Sequence, residues 1–241
     1  GRQMERFSEM FAIMKKELKS YFNSPIAYIV ITIFVGFTGF FFFALFEFFE
    51  FNQAELRNLF QLMPWMLCFA IPAVTMKLFS EERQSGSFEI LMTLPVSTVD
   101  IVLGKFLAGT IFSAVMISPT LVYLVTVVLL GSPDFGPIIG GYIGVMLLSA
   151  AYTSVGILAS SMTRNQVISF FSAWAACFSL WLIDKVVIFF PAKLGFISYL
   201  GTDYHFQNII KGIVDSKDVV YFISICVLSL MFTVKVIEER R

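Results

Sequence analysis

The run Ile26-Ala27-Tyr28-Ile29-Val30-Ile31-Thr32-Ile33-Phe34-Val35-Gly36-Phe37-Thr38-Gly39-Phe40-Phe41-Phe42-Phe43-Ala44-Leu45-Phe46 contains no charged residue. A helix needs about 20 mostly apolar residues to cross a hydrocarbon core about 30 Å thick. The run therefore predicts a membrane-spanning helix over 26–46. Five further stretches have the same character. They are Leu59 to Thr75, interrupted by Pro64 and Pro72; Ile101 to Leu130, with Lys105 expected to snorkel at one end; Pro137 to Ser160; Val167 to Ile183, extending to Phe190; and Val219 to Val236. The expected fold is an all-α polytopic membrane protein with six spans, so both ends of the chain share a side.

Composition agrees. The 241 residues are 58% hydrophobic and only 14% charged, with a mean hydropathy of +0.83 and 29 Phe. A soluble domain is roughly 45–50% apolar and about 25% charged, and a chain of this size cannot hide such an excess of apolar surface from water. Soluble enzymes, nucleic-acid binders and disordered chains are excluded. The formal net charge is zero, which leaves no basic footprint for nucleic acid.

The positive-inside rule sets the orientation. With both termini in the cytoplasm, twelve of the seventeen Lys and Arg residues fall on inner segments and five on outer ones. No secretory leader is expected, because the first 24 residues are charged and amphipathic. Within them, Phe7, Met10, Phe11, Met14, Leu18, Tyr21 and Phe22 share one face of a helix over 7–22, while Lys15, Lys16 and Lys19 lie opposite. Such a helix is expected to lie flat on the inner leaflet, its lysines near anionic head groups. Asn23-Ser24-Pro25 ends it.

The inner segment between spans two and three reads Ser80-Glu81-Glu82-Arg83-Gln84-Ser85-Gly86-Ser87-Phe88-Glu89-Ile90-Leu91-Met92-Thr93-Leu94-Pro95-Val96-Ser97. Gly86 supplies a turn, Ser87 caps a short helix over Phe88 to Leu94, Glu89 sits in its first turn, and Pro95 stops it. Phe88, Leu91 and Met92 share a face. This puts a short, rigid, partly apolar helix in the cytoplasm, tied tightly to two spans, where a loop with no task would more often be short and polar. A helix merely lying on the membrane remains the bland alternative.

The other features carry less. Cys68, Cys177 and Cys226 sit singly in apolar runs and read as small buried side chains. His205, the one histidine, shows no partner for a metal site or a catalytic triad. The outer segment Pro191 to Asp218 predicts two short interfacial helices, Phe196–Leu200 and Phe206–Val214, with a break at Gly212. Gly140, Gly144, Gly156 and Ser160 place small residues four apart on span four, which allows close helix packing. The run Phe40 to Phe43 suits either a lipophilic cargo or ordinary packing against lipid and neighbours.

Several of these residues together resemble the ABC-2 type permeases of ATP-binding cassette transporters. They are the helix Phe7–Phe22, the stretch Glu82-Arg83-x-x-Gly86-Ser87-x-Glu89-x-Leu91-x-x-x-Pro95-Val96-Ser97, and Gly104-Lys105. Ser87 and Phe88 stand where that family usually shows Thr and Leu. The run Phe206 to Phe222 is similar to the gliding-motility-associated branch. The resemblance covers nearly the whole chain as one transmembrane domain, 1–241. It implies an elbow helix at 7–22 and a coupling helix that docks on a separate ABC ATPase. Glu81, Glu82, Arg83, Gly86, Phe88, Glu89, Leu91, Met92 and Pro95 would form that coupling site. Arg164 and Asn165 would form a second, smaller cytoplasmic contact, and the outer helices would close the far side. It also implies the bacterial inner membrane, and as partners the ATPase, a second permease copy or a second membrane subunit with an extracytoplasmic domain, and the bilayer.

The chain has no phosphate-cradling loop. Gly104-Lys105 is its one Gly-Lys pair, but Val99 and Phe106 occupy the positions such a loop needs for Gly and Ser/Thr. No cofactor or metal is expected in this chain, which is not itself an enzyme; ATP and Mg²⁺ belong to the partner. Ion-coupled carriers place ionisable groups at mid-membrane, and no span shows one at its centre. A membrane anchor that positions an ATPase-driven complex without cargo of its own stays open beside a permease that exports cargo.

Overall fold

In a computed structural model of the chain, which describes residues 2–45, 56–93, 96–187 and 197–239, every regular element is helical. In order these are α1 (Arg2–Phe22), α2 (Pro25–Phe40), a π-helical turn (Phe41–Leu45), α3 (Arg57–Thr75), α4 (Lys77–Ser85), α5 (Ser87–Thr93) and α6 (Thr98–Ile117). A 3₁₀ turn (Ser118–Thr120) leads to α7 (Leu121–Leu130), α8 (Phe135–Met162), α9 (Gln166–Val187), α10 (Thr202–Ile209) and α11 (Ser216–Glu238). Six segments are long and apolar enough to cross a membrane: Pro25–Ala44, Arg57–Ser85, Thr98–Leu130, Phe135–Met162, Gln166–Val187 and Ser216–Glu238. They coincide in order and character with the six expected runs. The extension of the fifth span is helical to Val187; Phe46, residues 188–190, Phe196, Leu94 and Pro95 lie outside the described residues.

The second and third spans outrun the expectation. Arg57–Ser85 has 29 residues and Thr98–Leu130 has 33. At 1.5 Å per residue these are about 44 and 50 Å, well over a hydrocarbon core of about 30 Å. The excess of both gathers at one end of the bundle, here called the near end. Ile237, in the last turns of α11, shares a core there with Tyr21 of α1, Val74, Phe112 and Ile157. The near end thus holds both described ends of the chain.

Helix α8 is the central element and packs on α11, α3, α9, α6, α4 and α10. Its small residues explain this. A Cβ on Gly156 would stand 2.1 Å from Thr75 Oγ1, so only glycine lets α3 approach there. Gly140 and Gly144 face Ile209 and Phe206 of α10, and Ser160 faces the joint after α3. The small-residue spacing serves packing within this chain.

The phenylalanine run at the end of α2 divides. Phe40 is exposed, whereas Phe42 is 1% exposed and stacks on Tyr123 at 5.4 Å, with Phe43 packed on the same core. Two of the four rings fill the protein rather than wall a cargo path. Pro119 breaks the third span at the 3₁₀ turn, where Tyr142 of α8 donates to the Thr120 carbonyl at 3.1 Å.

The outer loop departs most from expectation. The second helix is not Phe206–Val214 but α10, which starts after the extended Gly201 and gives way to a turn at 210–212, and it is buried: Thr202, Phe206 and Ile209 are each 0% exposed. Gly212, at φ 84°, ends the turn that follows. His205 has the partners that the sequence hid. Its Nδ1 lies 2.6 Å from Asp218 Oδ1 on α11, its Nε2 lies 2.9 Å from the Tyr199 carbonyl, and its ring stacks on Tyr221 at 4.0 Å. Lys185 on α9 pairs with Asp203 on α10. A short amphipathic helix with this many polar residues can be buried only because those groups bond one another.

Candidate coupling interface

At the near end, α3 stops at Met76 and the chain restarts as α4. The joint is pinned by one side chain of α8. Ser160 Oγ accepts from the Phe79 and Ser80 amides at 3.0 and 3.1 Å and donates to the Met76 carbonyl at 2.9 Å. Helix α4 then runs to Gly86, whose φ of 76° closes the turn into α5. The helix begins at Ser87 rather than being capped by it; the Ser87 hydroxyl bonds the Ser85 hydroxyl at 2.9 Å instead.

The expected coupling residues separate into two faces. Phe88 is 8% exposed and turns inward, edge-on to Phe79 at 6.3 Å, with the Arg83 guanidinium 4.7 Å from the Phe88 ring centroid. Leu91 and Met92 pack on the same core. This packing holds α5 onto its own subunit, because a seven-residue helix is too short to stand without a packed face; Phe88 is buried there, while Leu91 and Met92 stay half-buried. Glu81, Gly86 and Glu89 face outward, and so does Ile90, 68% exposed, which the motif did not single out. Pro95 lies outside the described residues.

Glu82 is committed within the chain. It lies 2.9 Å from Lys105 Nζ, which also bonds Glu17 Oε1 at 2.8 Å and the Leu78 carbonyl at 2.7 Å and stands 4.9 Å from the centroid of the Phe79 ring. Lys105 is 0% exposed. It does not snorkel; two carboxylates from α1 and α4 meet it inside, and that pairing permits a buried ammonium. Lys16 adds a longer contact to Glu82 at 3.9 Å.

Helix α1, expected at the inner leaflet, runs beside the first half of α6. Arg6 Nε reaches Asp100 Oδ2 at 3.1 Å, Glu17 reaches Lys105, and Tyr21 packs on Phe112 at 4.9 Å. Gly104 makes this possible, since a Cβ there would sit 2.9 Å from the Met10 carbonyl oxygen. Tyr21 is buried, donates to the Val74 carbonyl at 3.3 Å, and has its phenol pushed well above its ordinary value by burial and by the Glu17 carboxylate. Met14, Leu18 and Phe22 pack on the same core, Met10 is half-buried, and Phe7 and Phe11 stay exposed. The C-terminal part of the expected membrane face thus packs partly on protein, while Phe7 and Phe11 stay open.

The turn holding Arg164 and Asn165 lies at this end. Asn165 Oδ1 accepts from the Val167 amide at 2.8 Å and so caps α9, while Arg164 is exposed. Gln166 next to it shares a cavity with Glu81 and Lys77 of α4. The structure thus brings the two expected cytoplasmic contacts to one surface, joined by α1 and the start of α6. Sequence reasoning missed Glu17, Lys105 and Asp100 as its internal ties. A charge at the fifth position of the apolar run Ile101 to Leu130 was the available signal for Lys105.

Residues 10–234 match the family described as ABC-2 family transporter protein. A search of the curated proteins finds no match.

Proposed function

Because the chain belongs to the ABC-2 family of transporter proteins, we propose that it is the permease half of an exporter driven by a separate ABC ATPase, docked on α4–α5. The chain is a multi-pass membrane component and not a nucleotide-binding one. Its termini face the cytoplasm of a bacterial inner membrane in this reading, supported by the excess of Lys and Arg on the near-end segments. ATP and Mg²⁺ are held by the ATPase. A second permease copy, or a second membrane subunit with an extracytoplasmic domain, completes the path. The run Phe206 to Phe222 supports a place in the gliding-motility-associated branch.

The observation that carries the docking site is the division of α5. Phe88 is buried on the subunit's own core while Glu89 and Ile90 point away from it, at the end of an arm fixed by Ser160 and Lys105. An exposed isoleucine next to Glu89, on an arm that also exposes Glu81, offers an apolar anchor among polar side chains. Co-expression with the host's ABC ATPases tests it. The wild-type chain should copurify with one of them, and Ile90→Asp should cut recovery at least tenfold without moving the chain's own unfolding midpoint. Undiminished recovery overturns the assignment. Cargo-stimulated ATP hydrolysis in proteoliposomes separates an exporter from an anchor.

A further inference from the structure

Where α1 meets the first span, the protein has a cavity of about 670 Å³ lined by Lys16, Lys19, Asn23, Ser24, Lys77 and Glu81. Three ammonium groups face one carboxylate. Lys16 makes only the 3.9 Å contact to Glu82, and among the described residues Lys19 and Lys77 have no ion pair. Lys77 Nζ is steadied 5.1 Å from the centroid of the Tyr21 ring. The same cavity abuts the start of α2, where Ser24 makes no side-chain cap and the first turn has no acidic residue. The positive end of that helix dipole therefore adds to the lysines.

A second, almost wholly apolar cavity of about 350 Å³ is lined by Val30, Ile33, Phe37, Trp65, Phe69 and Phe170, among others including Ala73. It stands directly above the first on the same three helices. Val30 is one turn beyond Ile26 on α2, Ala73 one turn from Lys77 on the α3–α4 rod, and Phe170 one turn beyond Gln166 on α9. From Lys77 to Trp65 the groove rises about 18 Å. A basic notch at the membrane surface thus opens into a hydrocarbon slot between spans one, two and five.

We propose that this paired cavity holds an anionic phospholipid, with its phosphate among Lys19, Lys77 and Lys16 and an acyl chain along the Ile33–Phe37 and Trp65–Phe69 walls. Charge complementarity selects the anion, and the apolar slot selects a lipid over a free phosphate. Assignment to the cytoplasmic leaflet rests on the orientation proposed above. Binding itself does not, so its failure and the failure of the permease reading are separate results.

Native mass spectrometry of the full chain in detergent tests the site, with phosphatidylglycerol, phosphatidylcholine of matched chains and inorganic phosphate as probes. Phosphatidylglycerol should be retained at least tenfold over phosphatidylcholine. Lys19→Gln/Lys77→Gln should bring it down to the phosphatidylcholine level, and Lys19→Gln alone, at an exposed position, should reduce it at least threefold. Ile33→Gln should lower retention of both lipids alike. Equal retention of the two lipids, retention unchanged in the lysine variants, or displacement of phosphatidylglycerol by millimolar inorganic phosphate overturns the proposal.

Discussion

Lys105 Nζ sits 2.8 Å from Glu17 Oε1, tying the third span to the helix that precedes the first. Glu82 of the connector arm completes the contact at 2.9 Å. One buried ammonium therefore joins three segments far apart in sequence. Removing it would strand two carboxylates in a dry site, which costs more than the pair itself contributes.

Lys105→Met should lower the stability of the detergent-solubilised chain by about 3–5 kcal/mol. Adding Glu17→Gln and Glu82→Gln should restore much of that loss, because no uncompensated charge then remains. Thermal or denaturant unfolding of wild type, Lys105→Met and the triple variant gives the comparison, and equal midpoints for Lys105→Met and wild type would refute the buried-clamp account.

Gly156→Ala places a methyl 2.1 Å from Thr75 Oγ1 and 2.9 Å from its Cβ. Overpacking of this kind costs about 1–3 kcal/mol. The double variant Gly156→Ala/Thr75→Ala should recover stability, with a coupling of about 1 kcal/mol or more between the sites. Strict additivity of the two changes would show that α3 and α8 do not meet here.

Phe88 and Ile90, two residues apart, should behave oppositely. Phe88→Ala removes a ring packed on Phe79 and should destabilise the free subunit by about 3 kcal/mol. Ile90→Ala removes an exposed side chain and should change stability by less than about 0.5 kcal/mol, while weakening ATPase copurification. The unfolding midpoints and the recovery of the partner check each half.

His205→Phe leaves Asp218 Oδ1 with only a 3.4 Å contact from Asn208. Loss of a buried partner should cost about 1–3 kcal/mol, and limited proteolysis should become faster near α10. Adding Asp218→Leu should recover part of the loss, since it removes the stranded acceptor. Unaltered proteolysis in His205→Phe would mean that the pair does not hold α10 in place.

The six spans were legible because apolar run length answers directly to bilayer thickness. The near-end ties were not. Glu17 falls among lysines on a helix whose periodicity speaks only of water and oil, and its partner lies 88 residues away. Lys105 was visible as a charge in an apolar run, but its direction depends on Gly104 admitting α1, which spacing alone does not show. The coupling motif picked out the segment but could not tell which of its side chains pack on the subunit itself. In a helix as short as α5 the apolar side is spent on its own fold. Helix α10 looked interfacial because its burial depends on polar pairs, His205 with Asp218 and Lys185 with Asp203, contributed by α11 and α9.

The single hydroxyl of Ser160 turns the joint at Met76 into a fulcrum. Two amides and one carbonyl at the root of the arm hang from it. A torque applied to the tip of α5 would pull on the fourth span through these three hydrogen bonds and on the third through Lys105, which holds Glu82 and the Leu78 carbonyl. If an ATPase docks on α5 as proposed, its push would reach the middle of the bundle through this joint rather than end in the loop that bears it.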